Sequence, residues 1–218
     1  MKDISSLKVE TFALGPMEAN AYVVFDPEEG HGLVIDPGDR DEEFLTHLKT
    51  LPVREWQIFL THGHADHIAG TEWLRKALPA LVSCSIEDAP MLSDAGLNLS
   101  QWLGLPYAGT APDRLLKDGD HILIGSISGR CLSLPGHTTG GMALVFSGMV
   151  FSGDVLFAGS VGRSDFPGGN SQELMRSIHD RLLTLGEARV YPGHGPATSL
   201  ATERQHNPFL SGNPIGDD

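Results

Sequence analysis

The residues most able to do chemistry lie together in Thr61-His62-Gly63-His64-Ala65-Asp66-His67, where four metal-ligating side chains fall within six positions. Neutral imidazoles and carboxylates suit zinc, iron or manganese. Alternating histidines in an extended segment can converge on one ion while the residues after them turn toward a second. Three later segments share this character: Leu134-Pro135-Gly136-His137-Thr138, Phe151-Ser152-Gly153-Asp154 and Tyr191-Pro192-Gly193-His194-Gly195. Each alone is an ordinary glycine-containing turn beyond an apolar run. Together with the first segment they complete a set of seven ligands.

Such turns need regular elements to aim them. Short β-rich runs at Lys8 to Ala13, Ala21 to Phe25 and Gly32 to Ile35, punctuated by Gly, Pro or Asp, predict antiparallel strands. Phe44, Leu45, Leu48 and Leu51 repeat on one face behind acidic residues and predict a helix from Asp41 to about Leu51. The apolar run Trp56 to Leu60 feeds the histidine-rich loop, with a helix expected from about His67 to Leu78 and a strand over Leu81 to Ser85. Ser93 to Pro112 has no steady period and reads as a loop or short-helix insertion, part of a stretch at about 88–112 placed to cover a site. Further strands are expected at His121 to Ile124, Ile127 to Leu134, Met142 to Phe146 and Met149 to Ser152. Asn170 and Glu173 then cap a helix striped by Leu174, Ile178 and Leu182 and stopped by Gly186, before a last strand at Arg189 to Tyr191. Strands followed by a helix in both halves predict an α/β sandwich of two packed sheets with helices outside.

A chain of 218 residues can bury one substantial core, so a single domain over residues 1–218 is expected. The 40% hydrophobic and 20% charged fractions are those of a globular protein, and 26 Gly and 14 Pro predict many tight turns. A net charge of -13 without basic runs argues against nucleic acid, whose binding needs clustered Lys and Arg. Met1 to Glu10 is polar and no stretch approaches the ~20 apolar residues of a membrane span, so no membrane partner and a cytoplasmic location are expected. Cys84 and Cys131 read as buried free thiols. His31, His47, His121, His179 and His206 read as surface or capping residues, and Asp88 and Asp94 as solvated loop carboxylates. Trp102 and Tyr107 either line a substrate cleft or pack within the insertion. No heptad or surface stripe marks an oligomer interface.

The H-x-H-x-D-H motif at His62 to His67, followed in order by His137, Asp154 and His194, resembles the metallo-β-lactamase superfamily over nearly the whole chain. The resemblance implies an αβ/βα sandwich of two mixed β-sheets flanked by helices, with two divalent metal ions at one edge. It implies that His62, His64 and His137 bind one ion, that Asp66, His67 and His194 bind the other, and that Asp154 bridges both. Asp36, in Ile35-Asp36-Pro37-Gly38, matches a family aspartate that supports the ligand histidines from behind. Zinc is the first expectation, with iron or manganese as alternatives, because the same nitrogen and oxygen ligands accept all three.

Within the superfamily, Asn20-Ala21-Tyr22, Gly162-Arg163-Ser164-Asp165-Phe166-Pro167-Gly168-Gly169, Pro192 to Thr198 and the tail Glu203 to Leu210 are similar to the short bacterial glyoxalase-II-like hydrolases. That implies a small-molecule thioester substrate, glutathione-derived or related. Arg163 stands in roughly the place of a basic substrate-contacting residue, although pairing with a neighbour such as Asp165 is an equal expectation. The C-terminal helical region by which full-length glyoxalase II grips glutathione has no counterpart after His194, which leaves the thiol open.

Seven ligands around two ions leave room for a bridging solvent molecule, which two divalent charges would turn into hydroxide near neutral pH. The expected chemistry is attack of that hydroxide on a thioester carbonyl, with Asp66 as ligand and proton acceptor. No Gly-x-Ser-x-Gly elbow offers a serine nucleophile instead. The main rival is an iron-dependent persulfide dioxygenase, a branch with similar Thr-His-x-His-Ala-Asp-His-Ile and Gly-Arg-Ser/Thr-Asp-Phe segments; Pro167-Gly168-Gly169 and Gly193-His194-Gly195-Pro196 favour the hydrolases. A non-catalytic metal-binding module is the third reading, and the intact ligand set argues against it.

Overall fold

Leu33 and Ile35 point to one face of their strand and Val34 to the other, and this alternation, repeated strand by strand, builds the protein in layers. The computed structural model describes residues 4–104, 107 and 109–210. Strands β1 (Lys8–Leu14), β2 (Ala19–Asp26), β3 (His31–Ile35), β4 (Glu55–Phe59), β5 (Ala80–Ser85) and β6 (Arg114–Leu116) form one sheet in that order. Its first two pairings are antiparallel and the other three parallel. The second sheet runs from β7 (His121–Ile124) through β8 (Ile127–Ser133), β9 (Met142–Phe146), β10 (Met149–Gly153) and β13 (Arg189–Pro192) to β14 (Thr198–Ser199). Only β10 and β13 pair in parallel there. Between them in sequence, β11 (Leu156–Phe157) and β12 (Ser160–Val161) make a separate hairpin.

Both sheets are therefore mixed, and their inner faces meet through Tyr22, Leu33, Phe59, Cys131, Leu144 and Phe151. Helices α1 (Glu42–Thr50) and α3 (Thr71–Ala77) cover the first sheet with Phe44, Leu45, Leu48 and Leu74. Helices α5 (Ser171–Ser177) and α6 (Leu200–His206) cover the second, where Leu174 and Leu200 meet Val150 and Val190. Each side chain buried in these layers contributes roughly 1.5–3 kcal/mol against exposure. The result is the two-sheet sandwich flanked by helices that the patterning predicts.

The Asn170 cap read from the sequence is present, its side chain accepting from Glu173 N, and Asp41 caps α1 by accepting from Phe44 N. Two details differ. The helix expected over His67 to Leu78 is split into α2 (Ala65–Ile68) and α3, because Gly70 N donates to the Pro37 carbonyl rather than continuing the helical ladder; a Cβ there would come within 2.2 Å of Asp39 O. Beyond α5 the chain continues through one π turn (Ile178–Leu182) and one 3-10 turn (Leu183–Leu185) before Gly186. The insertion holds a 3-10 turn (Ala89–Ser93) and α4 (Ser100–Leu103); residues 105, 106 and 108 of it lie outside the described residues. Cys84 and Cys131 are buried free thiols, as expected. Among the described residues no helix is long and apolar enough to cross a membrane.

Candidate metal centre

Asp36 follows β3, residues 61–67 follow β4, His137 follows β8, Asp154 follows β10 and His194 follows β13. Because β3 and β4 are parallel, their turns emerge side by side. Thr61 donates to Asp36 from its backbone N (2.8 Å to Oδ1) and from its hydroxyl (2.6 Å to Oδ2). Asp36 sits at φ 51°, a left-handed backbone that costs a side-chain-bearing residue roughly 1–2 kcal/mol. These bonds offset that cost and aim its carboxylate at the histidines.

The ring protons are set in the same way. His67 Nδ1 lies 3.0 Å from Asp36 Oδ2, and His137 Nδ1 lies 2.6 Å from the Arg163 carbonyl; both acceptors lack hydrogens, so each ring donates. His62 Nδ1 is 3.1 Å from Thr61 Oγ1, whose own proton is committed to Asp36, so His62 donates as well. In all three rings Nε2 is left for the cluster, the arrangement that orients metal-binding imidazoles.

Two groups result. Potential ligand atoms of His62, His64 and His137 lie within 4.8 Å of one another, as do those of Asp66, His67 and His194. Asp154 stands between them: Oδ1 is 3.4 Å from His67 Nε2, while Oδ2 is 3.7 Å from His137 Nε2 and 3.6 Å from His194 Nε2. Asp36 also groups with His62 and His67, but its oxygens are occupied by Thr61 and His67 Nδ1.

His62 Nε2 and Asp154 Oδ1, both facing the cluster, are buried without a hydrogen-bond partner. An unsatisfied buried polar atom costs about 1–3 kcal/mol, which a coordinated cation would remove. Ring nitrogens also crowd together, with His64 Nδ1 2.9 Å from His137 Nε2 and His67 Nε2 3.3 Å from His194 Nε2. These residues fit divalent cations.

The electrostatics agree. Burial brings His64 down to about 3 and holds His62 well below the usual histidine range, with neighbouring imidazoles adding to both effects. Burial opposes charge on His67 and His194 too, but there the Asp66 and Asp154 carboxylates prevail and raise both pKa values. Burial would raise Asp66 and Asp154, yet the facing histidines, His67 foremost, lower both. A bound cation would take the place of these protons.

Several neighbours hold the turns. Asn20 Nδ2 donates to the Pro192 and Gly195 carbonyls (3.0 and 2.8 Å), and Tyr22 Oη to Pro192 O (2.6 Å), which fixes the His194 turn. A Cβ on Gly193 would stand 2.0 Å from Asp154 Oδ1, so only glycine lets that turn pass the carboxylate.

Asp88 corrects the expectation of a solvated carboxylate, being 1% exposed. Its Oδ2 accepts from Gly63 N (3.1 Å) and Thr138 Oγ1 (2.7 Å), and its Oδ1 from Gly140 N (2.7 Å). It thus ties the His62–His64 turn to the His137 turn, while burial raises its pKa despite those bonds. No residue spacing announced this role; the only local signal is a short Ser-x-x-Asp turn after β5, where Ser85 Oγ accepts from Asp88 N.

Arg163 takes the second of its two expected positions. Its guanidinium forms a bidentate pair with Asp165 (2.9 and 2.7 Å) and lies 4.3 Å over the Phe166 ring. Trp102 lines the cleft above the metal groups, whereas Tyr107 is turned into the insertion and donates to Leu92 O.

Comparison with known proteins agrees with this geometry. Residues 14–194 match the family model of the metallo-beta-lactamase superfamily, and the chain belongs to that superfamily of metal-dependent hydrolases. It is 36% identical over 210 residues to a probable metallo-hydrolase, YqgX, of Bacillus subtilis, covering 94% of this chain and 99% of that one. It is 30% identical to the hydroxyacylglutathione hydrolase GloC of Haemophilus influenzae, with the same coverage. Among solved structures, the BLEG-1 B3 metallo-beta-lactamase superposes with a TM-score of 0.89 at 35% identity, over 94% of this chain and 100% of that one. TTHA1623 in a di-iron-bound form gives 0.82 at 39%, over 92% and 100%. ETHE1 from Myxococcus xanthus gives 0.77 at 26%, over 95% and 86%.

Proposed function

We propose that the protein is a thioester hydrolase of the glyoxalase II type that works with two divalent ions, one held by His62, His64 and His137 and the other by Asp66, His67 and His194. The observation that carries this reading is Asp154, whose Oδ2 lies between His137 of one group and His194 of the other while its Oδ1 faces His67. The similarity to GloC, end to end, supports the thioester as substrate.

When bound, the ions would lower the pKa of a shared water and polarise the substrate carbonyl. In the net reaction water is consumed, the C–S bond breaks and a C–O bond forms, giving a carboxylate, a thiol and one released proton. Asp66, kept ionised by His67 and His194, accepts a hydrogen bond from the attacking water and directs its lone pair at the carbonyl. Asp154 holds the two histidine groups at one separation, and Asp36 and the Arg163 carbonyl keep the rings from turning.

The iron-dependent persulfide dioxygenase remains the rival because of the motifs it shares, and the BLEG-1 likeness adds a β-lactam as a competing substrate. Assays of thiol release from S-D-lactoylglutathione, oxygen uptake on glutathione persulfide and opening of a β-lactam, all on one metal-loaded preparation, separate the three. Thiol release without oxygen uptake is expected. Oxygen uptake with a single iron per chain would replace the proposal with the dioxygenase.

A further inference from the structure

The cleft above the metal groups is a cavity of about 780 Å³ whose walls are mostly apolar: Met17, Leu99, Trp102, Leu103, Phe157 and Phe166. Large apolar side chains are exposed around it, Trp102 at 78%, Met17 at 47% and Leu103 at 42%. Trp102 and Leu103 belong to α4, which the insertion carries over the site after a left-handed turn at Leu99 (φ 67°). The floor is formed by His64, Asp66, His137, Asp154 and His194, so whatever lies against the walls reaches the reacting centre.

The charge of the cleft is as informative as its shape. Arg163 is its only lysine or arginine among the described lining residues, and the Nε and one Nη of its guanidinium are bonded to Asp165. Glutathione carries two carboxylates, and the described lining offers them one guanidinium that already shares its donors with Asp165. An aliphatic chain needs only apolar walls.

Resting on the thioesterase reading, we infer that the preferred substrate is a thioester with an uncharged aliphatic acyl chain of medium length, lying against Trp102 and Leu103 with its carbonyl over the metal groups. Glutathione conjugates are then secondary substrates. The chain lengthens the contact with Trp102, Leu103 and Phe157 without meeting a buried charge.

The test uses the metal-loaded full chain and N-acetylcysteamine thioesters of acetyl, butanoyl, hexanoyl and octanoyl groups, read by thiol release. Full burial of a methylene corresponds to about a fourfold gain in affinity, so kcat/KM should rise about two- to fourfold per methylene along this half-open groove. Trp102→Ala should lower the hexanoyl-to-acetyl ratio by at least about fivefold. Because Trp102 is 78% exposed, its replacement leaves the core intact. A second readout needs neither metal nor turnover: the neutral thioether S-octyl-N-acetylcysteamine should shift the tryptophan emission of the metal-free protein to the blue, and Trp102→Phe should abolish the shift.

A flat series without an emission shift, or S-D-lactoylglutathione turned over faster than the hexanoyl ester, overturns the inference while the thioesterase reading stands. An intact shift with no hydrolysis of any thioester overturns the thioesterase reading and leaves the groove's apolar preference standing.

Discussion

Replacing Asp88 with asparagine tests how far the metal groups depend on a residue that cannot itself reach an ion. In Asp88→Asn the amide oxygen can keep the bonds from Gly63 N and Thr138 Oγ1, but the amide NH2 must then face Gly140 N, a donor against a donor at 2.7 Å. A lost hydrogen bond to a charged acceptor costs about 1.5–3 kcal/mol. Burying a neutral amide instead of a carboxylate returns part of this, since burial already disfavours the charged form. The net cost should be about 1–2 kcal/mol, or about 0.3–1 M in the urea midpoint of the metal-free protein at an m-value of about 2–3 kcal/mol/M. Gly63 lies between His62 and His64, and Thr138 follows His137, so the displaced turns carry all three ligands of one group. Its metal affinity should fall roughly 10–100-fold, as for other groups that orient ligands. The assays are urea unfolding of metal-free protein and competition with a chelator. An unchanged midpoint together with unchanged metal affinity would refute the role given to Asp88.

Four further outcomes follow from the structure. Gly193→Ala places a Cβ 2.0 Å from Asp154 Oδ1, so dialysed protein should lose metal from both groups, and full retention would show that the turn yields freely. His67 has a raised pKa in the metal-free chain and keeps its proton up to that pKa; metal uptake must expel it, so affinity should rise about tenfold per pH unit below that point, measured by titration calorimetry in two buffers. By the same sign, the metal-free chain should lose stability as pH rises through the folded pKa of His67, whereas the metal-loaded chain should not. Arg163→Ala should leave KM for S-D-lactoylglutathione within about threefold, because Asp165 already holds the guanidinium, and a rise beyond about tenfold would return Arg163 to the substrate.

The site was legible where chemistry is written in residue type. His, Asp, Glu and Cys are the side chains best suited to transition metals, and the candidate ligands lie in turns beyond apolar strands, so type and position point the same way. The Asn170 cap was readable for a similar reason, since it bonds only three residues ahead. Asp88 was not, because its three partners lie 25, 50 and 52 residues away and only the folded chain unites them. Helix α6 left no periodic stripe to detect, burying only Leu200 and Glu203. Strand β6 likewise buries one residue, Leu116. The break between α2 and α3 comes with the bond from Gly70 N to the Pro37 carbonyl, a contact 33 residues apart that no local pattern announces. Arg163 carried two expectations because pairing with Asp165 and with a substrate carboxylate demand the same residue; the observed bond lengths favour the first.

The most direct measurement is the metal content of the wild-type chain, Asp154→Asn and His194→Ala, purified side by side and dialysed against the same buffer. The account predicts about two divalent ions per chain in the wild type, loss from both groups in Asp154→Asn, and loss mainly of one ion in His194→Ala. A single ion in the wild type, or equal retention of both ions in the two variants, would contradict a centre in which Asp154 joins two metal groups.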